Sequence, residues 1–153
     1  MARTLMALLA AVALLVAGCG GGSDGKAEYV RQLDRAEAKL DRALTGIRKD
    51  VVPGTPISVI ATKLDEGASA LDQAARDFRA IHAPADARAE QHDIVVGVQE
   101  LAAVYRRSAA AARRNDVPRL THTLRNLQES PAAQRIRRAQ QALQRKGYKI
   151  RTG

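Results

Sequence analysis

Apolar residues recur every three or four positions along most of this chain, which is the spacing of one helix face rather than of a strand. The first apolar stripe, within 26–51, consists of Val30, Leu33, Leu40, Leu44, Ile47 and Val51, with Ala36 and Ala43 between them. The second stripe, within 57–81, consists of Ile57, Ile60, Leu64, Leu71, Phe78 and Ile81. The pattern predicts two helices separated by a proline-glycine turn. Thr55 is the expected N-cap of the second helix, and Pro56 its first residue.

Two further helices are predicted in the second half of the chain. The third begins near Ala85 or Asp86 and carries Ile94, Val98, Leu101, Tyr105, Ala109 and Ala112. The fourth is started by Asp116 and Pro118 and carries Leu120, Leu124, Leu127, Ile136, Ala139 and Leu143. We expect a kink or a break at Pro131, because proline lacks an N–H and clashes with the preceding turn. Four similar segments with short connections predict an all-α, antiparallel up-down-up-down four-helix bundle.

The start of the chain has the pattern of an export signal. Residues 1–4 are short and basic, and the twelve residues from Leu5 to Val16 carry no charge. Twelve residues are too few to span a bilayer, which takes about twenty, but they suit the apolar core of a secretory signal. The segment ends Val16-Ala17-Gly18-Cys19, which resembles the lipobox of bacterial lipoproteins. This resemblance implies a diacylglycerol on the Cys19 sulfur and cleavage between Gly18 and Cys19.

The expected organisation therefore has three parts. Residues 1–18 are a signal peptide that is removed, residues 19–25 are the lipidated cysteine with a flexible glycine-rich tether, and residues 26–153 are the helical domain. Two acyl chains give stable anchoring, so we expect an extracytoplasmic protein held by lipid on the bacterial membrane. The segments Ala27-Glu28-Tyr29-Val30 and Ala83-Pro84-Ala85, the latter followed by His92, resemble alanine-rich helical lipoproteins of actinobacteria. That resemblance implies a helical ectodomain and no particular activity.

Charge is distributed unevenly between the two halves of the chain. Residues 99–153 hold 13 basic side chains and 3 acidic ones, whereas residues 19–98 hold 11 and 13. We expect the basic half to contact anionic lipid headgroups, an anionic wall polymer or an acidic protein. Nucleic acid is not an expected partner, because the domain lies outside the cytoplasm and no aromatic stacking residues are interleaved with the arginines. The predicted contact residues near the chain end are Arg135, Arg137, Arg138, Arg145, Lys146, Lys149 and Arg151.

The sequence contains no recognisable catalytic motif. A nucleophilic serine motif, a phosphate loop and a His-Glu-x-x-His pair are all missing, so we expect a non-enzyme without metal or cofactor. His82, His92 and His122 are expected at the surface or its boundary. Three glycines interrupt the helices, at Gly46, Gly67 and Gly97. They favour either close helix contact or a small cavity.

Two functions follow from this sequence. The first is a membrane-anchored interaction or scaffold module of the cell envelope. The alternative is a carrier or sensor that binds a small ligand inside the bundle. A cavity beside the helix glycines would favour the carrier, and a packed interior with a basic exterior would favour the interaction module.

Overall fold

The computed structural model describes residues 21–52 and 54–150, and the helices within them are α1 (Gly21–Lys49), α2 (Ile57–Ala80), α3 (Arg88–Arg113), α4 (Val117–Arg125) and α5 (Pro131–Arg145). Two 3₁₀ turns, Ala85–Ala87 and Leu127–Glu129, precede α3 and α5. Residues 21–52 and 54–150 contain no β-strand. The prediction of an all-α protein is confirmed.

The predicted fourth helix is broken into two, as the proline at position 131 requires. The carboxylate of Asp116 caps α4 by accepting the Arg119 N–H at 3.1 Å. The hydroxyl of Ser130 caps α5 in the same way, accepting the Ala133 N–H at 3.2 Å. Pro131 is the first residue of α5, where its missing N–H leaves no hydrogen bond unmade.

Two local predictions differ from the structure. Helix α1 begins at Gly21 rather than near Lys26, so residues 21–25 extend the helix where we expected a flexible tether. Once Tyr29 and Leu33 are packed, each residue added to the helix forms one further hydrogen bond without a new nucleation step. Thr55 does not cap α2, because its hydroxyl closes the preceding turn by accepting the Val52 N–H and donating to the Val52 carbonyl.

The core lies around α3, which packs against α2, α4 and α5. Its main cluster joins α1, α2, α3 and α5 and includes Tyr29, Leu33, Leu71, Phe78, Ile94, Val98, Leu143 and Tyr148. A smaller cluster joins α2, α3 and α4 and includes Ala61, Leu64, Ala109, Ala112 and Leu120. The apolar stripes of α2 and α3 are therefore buried largely as predicted. The far end of the α1 stripe is not, since Val51 is exposed.

The glycines in α2 and α3 sit where another side chain occupies the space a Cβ would need. A Cβ on Gly67 would lie 2.7 Å from the ring of Tyr105, and a Cβ on Gly97 would lie 2.6 Å from Cγ1 of Ile136. Gly46 is exposed, with open space around it. Of the two interpretations of these glycines, close helix contact is the one the structure supports at positions 67 and 97.

Candidate functional site

The start of α1 lies against the segment that follows α5, and together they form one end of the molecule. Lys26 Nζ donates to the carbonyl of Lys146 at 2.9 Å and lies 3.4 Å from the Asp86 carboxylate. Tyr148 donates its phenol proton to Asp86 Oδ1 at 2.7 Å. We call this end, formed by Lys26, Asp86, Lys146 and Tyr148, the base. It brings α1, the entry to α3 and the end of α5 together.

Two buried tyrosines form the interior of the base. The rings of Tyr29 and Tyr148 meet edge to face with their centroids 5.5 Å apart, an arrangement that aromatic quadrupoles favour. Lys26 Nζ lies 4.8 Å from the centroid of the Tyr148 ring, within the range of a cation–π contact. The hydrogen bond from Tyr148 is the main cause that lowers the pKa of Asp86, and Lys26 lowers it further. Burial and that same hydrogen bond raise the pKa of Tyr148.

Glu90 and Lys146 add a partly buried ion pair to the base. Lys146 Nζ lies 2.6 Å from both Glu90 Oε1 and the Asp86 carbonyl. The other carboxylate oxygen of Glu90 and the hydroxyl of Tyr29 are buried without a hydrogen-bond partner among the described residues. Burial raises the pKa of Tyr29 to about 12, and the nearby charge of Glu90 is the smaller cause of this rise. The phenol therefore stays neutral over the whole physiological range.

Two of the predicted anion-contacting residues are already paired within the protein. Arg135 bridges Asp93 at 3.2 Å and Glu100 at 3.3 Å, both on α3, and the hydrogen bond with Glu100 is the main cause of its raised pKa. Lys146 is held by Glu90, as described above. These two cations hold α5 against α3 and have less charge to offer an external partner.

The other predicted contact residues face solvent. Arg137 donates to the Gln128 carbonyl at 2.6 Å and Arg138 to the Gln134 carbonyl at 3.3 Å. Over residues 21–52 and 54–150, no carboxylate lies within ion-pair distance of Arg137, Arg138, Arg145 or Lys149, all of which are exposed. The remaining predicted site residues, Gly18, Cys19 and Arg151, lie outside the described residues.

A second surface, which we call the tip, carries Asp50, Lys63, Arg113, Arg114 and Arg119. Arg113 pairs with Asp65 on α2. Arg114 and Arg119 are exposed, and the described part of the chain places no carboxylate within ion-pair distance of either. The chain turns there at Asn115, whose φ of 56° is the left-handed conformation that asparagine tolerates. Two exposed, unpaired arginines therefore mark the tip as a second basic surface.

A pocket of about 440 Å³ opens between the end of α2 and the first half of α3. Its rim carries Arg79, His82, Arg88 and His92, all of them exposed. His122 on α4 is exposed as well, so the surface placement predicted for the three histidines is confirmed. In the described residues no three His, Cys, Asp or Glu side chains gather as a metal site would require.

Sequence reasoning missed most of the base. Tyr29 precedes Leu33 by four residues and therefore shares its helix face, so periodicity alone contained the signal for its burial. Tyr148 follows the last helix, where no period applies. Its position depends on Gly147, whose φ of 84° turns the chain back after α5.

A scan against protein-family models found no matching family, and searches of curated proteins and of solved structures found no significant match. Among the described residues, no helix is both long enough and apolar enough to cross a bilayer.

Proposed function

We propose that this protein is a lipid-anchored lipoprotein of the cell envelope, and that it acts as a non-catalytic interaction module whose base rests on an anionic membrane. The proposal takes residues 1–18 as a signal peptide and Cys19 as the lipidated first residue of the mature chain. The observation that carries it is the contact between Lys26 and the Lys146 carbonyl, 2.9 Å apart. Residue 26 is only seven positions after Cys19, so the basic end of α5 lies beside the proposed anchor.

We infer further that α1, α2, α3 and α5 form an antiparallel up-down bundle. Lys39 on α1 pairs with Asp77 on α2 at 2.7 Å, and Asp50, directly after α1, pairs with Lys63 on α2 at 2.9 Å. Residue numbers rise along one helix while they fall along the other, which is the order that antiparallel neighbours produce.

The same order holds for the pairs that α3 makes. Asp65 and Asp72 on α2 pair with Arg113 and Arg106. Glu90 pairs with Lys146, directly after α5, and Glu100 pairs with Arg135 on α5. Short connections between such helices favour this bundle topology, which places the start of α1 and the end of α5 at one end.

The early start of α1 brings the base close to the membrane. Helix α1 begins two residues after Cys19, and an α-helix rises about 1.5 Å per residue, so Lys26 lies about 8 Å beyond Gly21 along the axis. Attraction to an anionic leaflet decays over a Debye length of about 8–10 Å at physiological salt. Counted from Cys19 the rise is about 10 Å, so the base lies about one Debye length from the anchor, where part of that attraction remains.

Not all basic residues of α5 contribute equally in this arrangement. Arg145 and Lys149 lie nearest the base and are unpaired among the described residues. Arg138 is seven residues earlier, or about 10 Å farther along the helix. Arg135 is neutralised by Asp93 and Glu100. A basic side chain directly at an anionic surface contributes about 1 kcal/mol, so Arg145 and Lys149 together contribute at most about 2 kcal/mol.

Lipidation is tested by labelling cells with radioactive palmitate. The wild-type protein should incorporate the label and migrate as the processed form. The Cys19→Ala variant should incorporate none, and it should remain as precursor or be released without lipid. Full labelling of Cys19→Ala would contradict the proposed anchor.

Docking of the base is tested with the chain from residue 19 onward, carrying Cys19→Ser so that no lipid is attached. It should bind vesicles containing phosphatidylglycerol and should bind phosphatidylcholine vesicles far more weakly, with binding that falls as salt is raised. Replacing Arg145 and Lys149 by glutamine should weaken binding by up to about thirtyfold. The matched control replaces Arg114 and Arg119 at the tip. Equal losses from both pairs would reject docking through the base.

A further inference from the structure

The pocket between α2 and α3 is cationic at its rim. Its lining contains Arg79 and Arg88 with two histidines, and no acidic residue. Neither arginine has a carboxylate within ion-pair distance in the described chain. Two unpaired guanidinium groups facing one pocket favour a ligand with negative charge, and phosphate oxygens match their donor geometry.

The acidic residues of α3 do not cancel this charge, because they lie on its other face. Glu90, Asp93 and Glu100 follow one another at helical spacing and pair with Lys146 and Arg135 on α5. The pocket-lining residues of α3 are Arg88, Gln91, His92, Val95, Val96 and Gln99, which share the opposite face at 3.6 residues per turn. Helix α3 therefore turns Glu90, Asp93 and Glu100 towards α5, and Arg88 lines the pocket without an acidic neighbour in its lining.

The floor of the pocket is apolar and its walls are fixed. Ile81, Val95 and Val96 line it together with Ala83. The buried amide of Gln91 donates to the Phe78 carbonyl at 2.6 Å and to the Ile81 carbonyl at 2.7 Å. These two bonds satisfy the Phe78 and Ile81 carbonyls and hold the end of α2 against α3.

The pocket also lies towards the base. The loop that forms one wall leads directly into Asp86, whose carboxylate is 3.4 Å from Lys26 Nζ. Its volume of about 440 Å³ is within the roughly 300–1,000 Å³ typical of small-ligand sites. An apolar floor beneath a cationic rim suits an amphiphile better than a free inorganic ion.

We propose that this pocket binds the phosphate ester of an anionic amphiphile, with Arg79 and Arg88 on the phosphate and Ile81, Val95 and Val96 against its apolar portion. A phosphate can come from a lipid headgroup or from a soluble source, and the apolar floor selects the lipid. This inference rests on the proposed function in one respect, since the base must lie near a membrane for a lipid to reach the pocket.

The test uses the isotope-labelled chain from residue 19 with Cys19→Ser, which retains all the contacts described above. Three probes are titrated by NMR: dihexanoyl phosphatidic acid below its micelle concentration, inorganic phosphate, and hexyl maltoside. The short-chain lipid should shift the Gln91 amide and the Val95 and Val96 methyl groups saturably, with one lipid per protein. Inorganic phosphate should bind about tenfold more weakly or worse, and hexyl maltoside should shift none of these signals.

Replacing Arg79 and Arg88 by glutamine should weaken lipid binding about tenfold or more while the helical circular dichroism stays unchanged. The matched control replaces Arg145 and Lys149 by glutamine and should leave short-chain lipid binding intact. If inorganic phosphate binds as tightly as the lipid, the claim that the ligand is an amphiphile is wrong. If the shifts do not saturate or do not occur, the pocket is not a binding site. Vesicle binding of the same variants separates the two proposals. If docking fails while the short-chain lipid still saturates the pocket, only the membrane proposal fails.

Discussion

Close packing of α3 on α5 makes Gly97 a sensitive position. Alanine in a helix interior is about 1 kcal/mol more favourable than glycine, so Gly97→Ala would stabilise a free helix. In the folded protein its Cβ would lie 2.6 Å from Ile136 Cγ1 and 3.1 Å from the Ala132 carbonyl oxygen. The second atom belongs to the backbone, so the overlap cannot be relieved by a rotamer change alone, and α5 must move away. Overpacking of this kind costs about 1–3 kcal/mol.

Gly46→Ala is the matched control, because a Cβ at position 46 meets nothing within 4 Å. It should stabilise the protein by up to about 1 kcal/mol. We therefore expect Gly97→Ala to be less stable than Gly46→Ala by about 1–3 kcal/mol. In thermal unfolding followed by circular dichroism, the two midpoints should differ by about 4 °C for each kcal/mol.

A double-mutant cycle locates the overlap. Ile136→Ala should destabilise the Gly97→Ala protein less than it destabilises the wild type, because the two changes act on one contact. If Gly97→Ala stabilises the protein as much as Gly46→Ala does, then α3 and α5 do not approach each other as described. Additive effects of Gly97→Ala and Ile136→Ala would contradict the contact itself.

Three further predictions concern the core, a helix cap and a half-buried carboxylate. Leu143→Ala should lower the free energy of unfolding in urea by about 2–5 kcal/mol, because Leu143 is fully buried; a loss below 1 kcal/mol would place it outside the core. Ser130→Ala should lower it by about 1 kcal/mol, whereas Ser130→Asp, which keeps an acceptor for the Ala133 N–H, should lose little. Burial raises the pKa of Glu37 above 4.5, so its contribution to stability is lost as pH rises through the folded-state pKa. Glu37→Gln should therefore stabilise the protein at pH 7 but not at pH 4, and an equal effect at both pH values would contradict the raised pKa.

The helices were predictable from sequence because their signals are local. The 3.6-residue period of α2, the Asp116 cap and the break at Pro131 each depend on neighbouring residues alone. The start of α1 was placed too late, because glycine-rich composition argues for a flexible segment, whereas the packed turn at Tyr29 carries the helix back to Gly21.

The sequence could not predict which basic residues are free of internal ion pairs and can contact an external partner. Arg135 and Arg138 are three residues apart on the same helix and look equivalent in composition. Only the register of α5 against α3 places Asp93 and Glu100 beside the first and solvent beside the second. The cationic pocket could not be predicted for the same reason. Arg79 and Arg88 belong to different helices, and they line one pocket only when the loop between them is folded.

The contacts of the base also determine the order in which the chain can complete its fold. Lys26 and Lys146 are 120 residues apart, whereas the pairing of α2 with α3 involves neighbouring segments. Contacts of small sequence separation close quickly, and distant ones must wait for a large loop to close. During synthesis the neighbouring helices α1, α2 and α3 can therefore pair first, while the edge of Tyr29 that packs on Tyr148 stays uncovered until Tyr148 has been added. Throughout that interval the newly made protein is most exposed to chaperones, proteases and aggregation.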